Sequence, residues 1–485
     1  MGRRAVSTRR LARPGGWAPD WLAAYCLLTL VILAIVLAHW PGRLNLDTLG
    51  MLRMVRGDTL HDHWSLLPTL VWRQAYGIAG TGPGIALVLQ TAMLAAGLYL
   101  VLRAALGRIS AAAVACVLMF APPTFGFVGL VGRDAWFVSS CVLAAGLAVA
   151  ATRWRDRRLR IAAVMAGALA VAVAIAARRN GFTAASVTLT GVAYAGLALV
   201  GGRPSLLLRA PRWPIAGALA LVTTAVLLVG MLMLATAARE RAAHPQIYTH
   251  LYDLGYLTLR EERRLIPRLP RQAQPVQTVS EVRDRWRPID SIYMRWFPER
   301  GEEMGVRLFY TDAEAERLAA AWRSAIREDP LAYLRGRFGL WRRQIGIGYK
   351  PEYAIILATP SNSVGYREPA FPALSDAAAS YASHWGSGTG VESRGGGPLH
   401  YVWIYLLACL GGSLLALPRF PAAVQMSATF PLAGMGLQVG LFFMAPSAQF
   451  RYELLAVYAG MTSLVLLAAV GARAARTRRS AAPSA

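Results

Sequence analysis

Asp47, Asp62 and His63 share one stretch of sequence, and their types suit proton chemistry. Pro41-Gly42-Arg43-Leu44-Asn45-Leu46-Asp47-Thr48 is followed by Gly57-Asp58 and then by His61-Asp62-His63-Trp64-Ser65. An ionised carboxylate within hydrogen-bond reach of an acceptor hydroxyl can take its proton. Asp47 is therefore a candidate catalytic base, Asp62 a second catalytic carboxylate that orients the acceptor, and His63 a substrate contact. The plain alternative is that Asp47 caps a surface helix and Asp62 pairs with an arginine. His61-Asp62-His63 also admits a divalent metal, since imidazole and carboxylate are common ligands. The adjacent spacing fits solvated loop residues as well, and no cofactor is otherwise implied.

Three more polar clusters stand at the edges of apolar runs: Arg133-Asp134, Arg178-Arg179-Asn180 and Arg451-Tyr452-Glu453. The planar guanidinium fork makes paired, charge-assisted hydrogen bonds to phosphate. Arg133, Asp134, Arg179, Asn180 and Arg451 are accordingly candidate substrate-binding residues, and Arg179 and Arg451 are expected to lie close together. Lipid headgroups or simple Arg–Asp pairs are the alternative partners. Lys350, the only lysine in the chain, is a further candidate for phosphate contact.

The elements that must position these residues are membrane helices. Of 485 residues 55% are hydrophobic and only 16% charged, against about 25% charged in ordinary soluble domains. Mean hydropathy is +0.40. The net charge of +25 would suit nucleic acid, but such a composition excludes a soluble nucleic-acid binder, a disordered chain and a disulfide scaffold. Apolar runs mark ten expected spans, at 21–40, 83–102, 109–124, 135–151, 161–177, 182–201, 214–237, 399–417, 423–445 and 452–471. The expected fold is an all-α polytopic membrane protein of about ten transmembrane helices.

With the N-terminus cytoplasmic, twenty arginines fall in inner segments and eight in short outer loops, the asymmetry of the positive-inside rule. Both termini are then expected in the cytoplasm, and the first span reads as an uncleaved signal anchor. All seven histidines and most of the acids map to the outer side, so that face is where chemistry is expected. Residues 1–237 form the expected N-terminal bundle of seven spans, with 41–82 as its catalytic first outer loop. Residues 238–398 form a soluble, mostly helical, extracytoplasmic insert between the seventh and eighth spans. Residues 399–471 supply three more spans, and 472–485 a basic cytoplasmic tail.

Within the insert, Thr311-Asp312-Ala313-Glu314 is a capping-box pattern opening a helix to about Arg327. Asp329-Pro330 starts a second helix. Leu331, Leu334, Phe338 and Trp341 form its apolar stripe, with Arg335, Arg337, Arg342 and Arg343 as cationic positions. That helix suits either the membrane surface or the insert's own core. Residues 385–397 read as a glycine-rich linker. The four cysteines all fall within spans, and no disulfide is expected.

Together these stretches resemble the GT-C superfamily of membrane glycosyltransferases, closest to a poorly characterised bacterial branch. Pro41-Gly42, Asp47-Thr48 and Asp62-His63-Trp64 are similar to the pattern of that branch's first outer loop. Val131-Gly132-Arg133-Asp134, Arg178-Arg179-Asn180-Gly181 and Asp329-Pro330-Leu331-Ala332-Tyr333-Leu334-Arg335 resemble three further motifs. The chain departs from the pattern at Met51, where a glutamine is usual, and in the order His63-Trp64. The resemblance implies transfer of a sugar, with inversion, from a polyprenyl-phosphate donor to a hydroxyl on an envelope glycan, lipid or protein. It implies a location in the bacterial cytoplasmic (inner) membrane, with membrane lipids as neighbours and no nucleic acid. A lipid-linked-sugar transporter or flippase, a glycan polymerase or ligase, and a non-catalytic envelope scaffold are the competing classes. Span centres almost free of charge count against transport.

Overall fold

The computed structural model describes residues 18–62, 65–79, 82–200, 212–269, 278–288, 310–349, 364–366, 370–384 and 397–481. The fold is helical apart from one two-stranded parallel ladder. In chain order the first part holds α1 (Ala18–His39), β1 (Arg43–Leu44), α2 (Leu46–Val55), α3 (Leu66–Ala79), α4 (Gly84–Leu102), α5 (Arg108–Met119), α6 (Pro122–Val128) and β2 (Leu130–Val131). α7 (Arg133–Arg153), α8 (Arg157–Ala177), α9 (Phe182–Val200) and α10 (Arg212–Ala238) complete the first bundle. The insert contributes α11 (Ile247–Glu261), α12 (Val279–Arg285), α13 (Asp312–Glu328), α14 (Pro330–Ile345) and α15 (Pro372–His384). The chain closes with α16 (Val402–Ser413), α17 (Ala422–Ser427), α18 (Thr429–Met444) and α19 (Leu454–Ala481).

Eight helices among the described residues are long and apolar enough to cross a membrane, which makes this a membrane protein; counting α5 and α6 as one broken span gives nine. Each of the ten expected apolar runs overlaps helix among the described residues, but two are not simple spans. α5 and α6 meet at 79° because Pro122 and Pro123 follow Ala121. A residue before proline is pushed out of the helical region, and Ala121 sits at ψ 132. α16 with its terminal 3₁₀ turn reaches only Ala416, ahead of Pro418. The basic tail continues α19 to Ala481 rather than leaving the helix at 471.

Close glycine contacts set the helix spacing in the bundle. A Cβ on Gly97 of α4 would come within 2.6 Å of the Leu143 backbone in α7. One on Gly146 of α7 would come within 2.7 Å of the Gly97 carbonyl. Small residues let membrane helices touch backbone to backbone. The insert has its own core, in which Leu251, Leu254 and Leu257 of α11 pack with Leu318 of α13. Both expected helix starts are present: Thr311 and Glu314 form the capping box of α13, and Asp329 caps α14.

In α14, Arg337 is fully buried, while Leu331, Leu334 and Phe338 of the apolar stripe are exposed. Arg337 Nη2 donates to Asp253 at 2.8 Å, while Nη1 donates to the Ala445 carbonyl at 2.7 Å, at the end of α18. Trp322 Nε1 adds a third bond, to the same oxygen of Asp253. Burial raises the Asp253 carboxyl above its ordinary value, and Arg337 opposes that rise. This buried pair fastens the insert to one end of the bundle.

Candidate active site at the insert end of the bundle

The first loop is drawn into the bundle by its backbone. Arg43 and Leu44 pair in parallel with Leu130 and Val131. The turn before β1 needs Gly42: its φ is +117°, and a Cβ there would lie 2.5 Å from Val131 Cγ2. Asn45 then caps α2, its side chain accepting from the Thr48 amide, and Thr48 Oγ1 donates to the Val131 carbonyl at 2.7 Å. The cap of α2 is thus Asn45, which leaves Asp47 in the first turn for another purpose. β2 leads directly into α7, so Arg133 and Asp134 begin a helix beside Asp47.

Three arginines and two aspartates meet there. Asp47 Oδ2 accepts from Arg133 Nη2 at 3.0 Å and from Arg451 Nη1 at 2.9 Å. Arg451 Nε lies 3.7 Å from Asp134 Oδ2, and Arg178 Nη1 lies 3.0 Å from Asp134 Oδ1. Arg178 also donates from Nε to Asn180 Oδ1 at 2.7 Å and lies 4.3 Å above the Tyr452 ring. Exposure grades across the group. The Asp134 and Arg178 side chains are 5% and 4% exposed, whereas Asp47 is 21% and Arg133 27%. The carboxylate within reach of an arriving molecule is therefore Asp47, and the inner pair forms the floor.

The structure brings Arg133, Asp134, Asn180 and Arg451 together with Asp47. Arg179 is not the arginine that shares Asp134 with Arg451; Arg178 is. The chain turns through a 3₁₀ segment at Arg179–Gly181, so successive side chains diverge. Arg179 feels Asp62, Arg239 and Arg133 instead. The alternation that distinguishes Arg178 from Arg179 has no signature in a two-residue basic pair.

Asp62 plays a different part from Asp47. Its Oδ2 accepts from Arg239 Nη1 at 2.7 Å, and its Oδ1 accepts from the Ala243 amide at 2.7 Å. The Leu60 carbonyl accepts from the amides of Glu240 and Arg241. This clamp ties the first loop to the start of the insert. Burial holds the His61 imidazole below its ordinary value, against the pull of Asp62. His63 and Lys350 lie outside the described residues. Among the described residues there is no group of three or more His, Cys, Asp or Glu side chains that could hold a metal ion.

The end of the insert holds the other side of the loop. Arg43 Nη2 donates to Ser375 Oγ at 2.8 Å and to the Ser375 carbonyl. Tyr366 Oη donates to the Gly42 carbonyl at 2.6 Å. A third connection runs through α14: Trp341 Nε1 donates to Gln438 Oε1 at 2.9 Å, and Gln438 Nε2 donates to Glu453 Oε2 at 2.6 Å. Glu453 is fully buried, two residues from Arg451 and within electrostatic reach of Arg178. Sequence reading placed Glu453 beside the arginines without assigning it a contact. No family model matches the chain, and no curated protein and no solved structure matches it.

Proposed function

We propose that the protein is a membrane glycosyltransferase that moves a sugar from a polyprenyl-phosphate donor to a hydroxyl acceptor of the cell envelope. The observation that carries this reading is the shared oxygen of Asp47, held by Arg133 and Arg451 with Arg178 behind them. Three guanidiniums, those of Arg133, Arg178 and Arg451, converge on the carboxylates of Asp47 and Asp134, and such forks also bind a phosphodiester.

In this reading the donor phosphate competes with Asp47 for Arg133 and Arg451. Guanidinium forks bind phosphate and carboxylate by the same geometry, so arrival of the donor frees an oxygen of Asp47. The acceptor oxygen attacks the anomeric carbon, and its proton passes to Asp47. The bond from the anomeric carbon to the phosphate oxygen breaks, and its electron pair leaves on the polyprenyl phosphate. The arginines stabilise the extra negative charge that appears there. Asn180 holds Arg178 in place, Asp62 positions the loop, and His63 and Arg179 are further substrate contacts. In this reading the site faces outward with both termini in the cytoplasm, on the arginine asymmetry of the sequence, and the resemblance implies a bacterial inner membrane.

The test is purification into lipid, addition of polyprenyl-phosphate sugars, and measurement of free polyprenyl phosphate. Release that depends on Asp47 supports the reading. Retention of every donor unchanged, across sugars and acceptors, would sink it.

A further inference from the structure

α14 belongs to two cores at once. Near its start, Ala332 packs in the insert core with Leu251 and Leu254. More than two turns later, Trp341 and Ile345 pack in the core of the membrane bundle. Two hydrogen bonds fix the level of this second half. Arg337 Nη1 donates to the Ala445 carbonyl, just past the end of α18. Trp341 Nε1 donates to Gln438 Oε1, and Gln438 stands six residues before Met444, the last residue of α18. At 1.5 Å per residue, that is about 9 Å inside the end of the span. The second half of α14 therefore runs beside the last two turns of a membrane helix.

The apolar stripe of α14 is exposed along this length. Leu331, Leu334 and Phe338 are spaced three and four apart, so they share one face, which continues to Trp341. α18 exposes Val439, Phe443 and Met444 over the same two turns. At Trp341 and Gln438 the open face of α14 thus meets apolar surface that a span turns to lipid. Arginines border the stripe. Arg335 is exposed. The Arg342 guanidinium lies 5.9 Å from the Phe338 ring and 5.7 Å from that of Tyr349, and the Arg343 guanidinium lies 3.8 Å from the Tyr349 ring. An apolar stripe edged by arginines is the pattern of a helix lying at the boundary between headgroups and acyl chains.

We propose that α14 docks its exposed face into the lipid leaflet at the Asp47 end of the bundle, with Leu334 and Phe338 among the acyl chains and Arg335, Arg342 and Arg343 at the headgroup phosphates. The contact with Gln438 decides for lipid over water, because it sets the stripe beside a span rather than beyond its end. Arginine stems cover apolar surface while their heads reach anionic groups. The docking is independent of the transfer reaction proposed above.

The test uses the whole protein in nanodiscs of phosphatidylcholine and phosphatidylglycerol that include a phosphatidylcholine with a diazirine on its acyl chain. After illumination and digestion, residues 338–342 of α14 should carry lipid adducts, as α18 does. Residues 318–323 of α13 should carry none. Leu334→Gln supplies a second measurement. Glutamine keeps helix propensity and is near neutral on a water-facing surface, but it is unfavourable among acyl chains. The thermal midpoint in nanodiscs should therefore fall. Exchanging part of the phosphatidylcholine for phosphatidylglycerol should raise the wild-type midpoint. Arg342→Gln with Arg343→Gln should lose most of that rise, whereas Arg317→Gln with Arg327→Gln, on α13, should keep it.

Residues 338–342 left unmodified beside a labelled α18 would overturn the proposal, and so would an unchanged or raised midpoint in Leu334→Gln. A dimer mass in detergent, with α14 free of adducts, would give the face to a second copy of the chain and overturn it equally. If Arg342→Gln with Arg343→Gln lowered the midpoint by the same amount in both lipid mixtures, the two arginines would serve only to stack on Phe338 and Tyr349. That result would overturn their place at the headgroups.

Discussion

Asp47 and Arg451 stand 404 positions apart and meet at 2.9 Å. The contact joins the first loop to the last membrane helix, and Arg133 completes it from a third direction at 3.0 Å. An oxygen gripped by two guanidiniums can neutralise them or be displaced from them by phosphate. The two roles give different results on substitution.

Asp47→Asn keeps the side chain's size and one acceptor oxygen but cannot take a proton. We expect normal expression and insertion, with sugar transfer reduced by about 10²–10⁴-fold, the usual share of general-base catalysis. Asp58 is exposed in the turn after α2, so Asp58→Asn serves as control. Equal losses in the two variants would indicate damage to the loop rather than lost chemistry.

Arg178→Lys and Arg451→Lys retain charge but lose the fork. Arg178 bonds Asn180 through Nε and pairs with Asp134 through Nη1, and a lysine cannot make both contacts. Transfer should fall by about 10²–10³-fold in each, as for loss of one preorganised donor. Arg179→Lys should cost much less. A larger effect at Arg179 than at Arg178 would reverse their assigned roles.

Gly42→Ala tests the backbone that positions the base. The added Cβ meets both a positive φ and the Val131 side chain. We expect a loss of about 1–3 kcal/mol in stability, as for overpacking, and a fall in transfer with the donor still bound. Unchanged activity would show that the β1–β2 pairing is dispensable for Asp47.

Acid should loosen the insert. Burial, with Arg337 and Arg323, lowers His250 of α11 from 6.5 to about 4. It binds a proton more readily in the unfolded chain, so its neutral form adds stability that is complete above pH 6.5. That stability is lost as pH falls from 6.5 towards 4, by at most about 1.4 kcal/mol per pH unit. Thermal midpoints in detergent should drop across this window, and His250→Gln should flatten part of the slope. A midpoint rising on acidification would contradict the burial of the ring.

Orientation is open to a direct measurement. A reporter after Gly301 should read extracytoplasmic and one after Arg158 cytoplasmic. The reverse at either site would place Asp47 on the inner side and remove the envelope acceptor from the proposal.

The membrane character of the chain was legible from composition, because an apolar run long enough to span a bilayer has few other uses. The starts of α13 and α14 were legible too, since Thr311, Glu314 and Asp329 satisfy helix amides within their own turn. The bend at Pro122 was local information as well, but a hydropathy window averages over it. Arg133 and Arg451 stood out because they break the positive-inside pattern, and Asp47 because few acids lie outside the insert. Their convergence was decided by tertiary structure alone: the β1–β2 ladder and the packing of α7 and α19 bring together residues hundreds of positions apart. The same holds for Arg178 over Arg179 and for Asp62 as a clamp. A side chain's partner depends on which way a short turn rotates it, and that rotation is fixed by the packed neighbours rather than by the residues beside it in the chain.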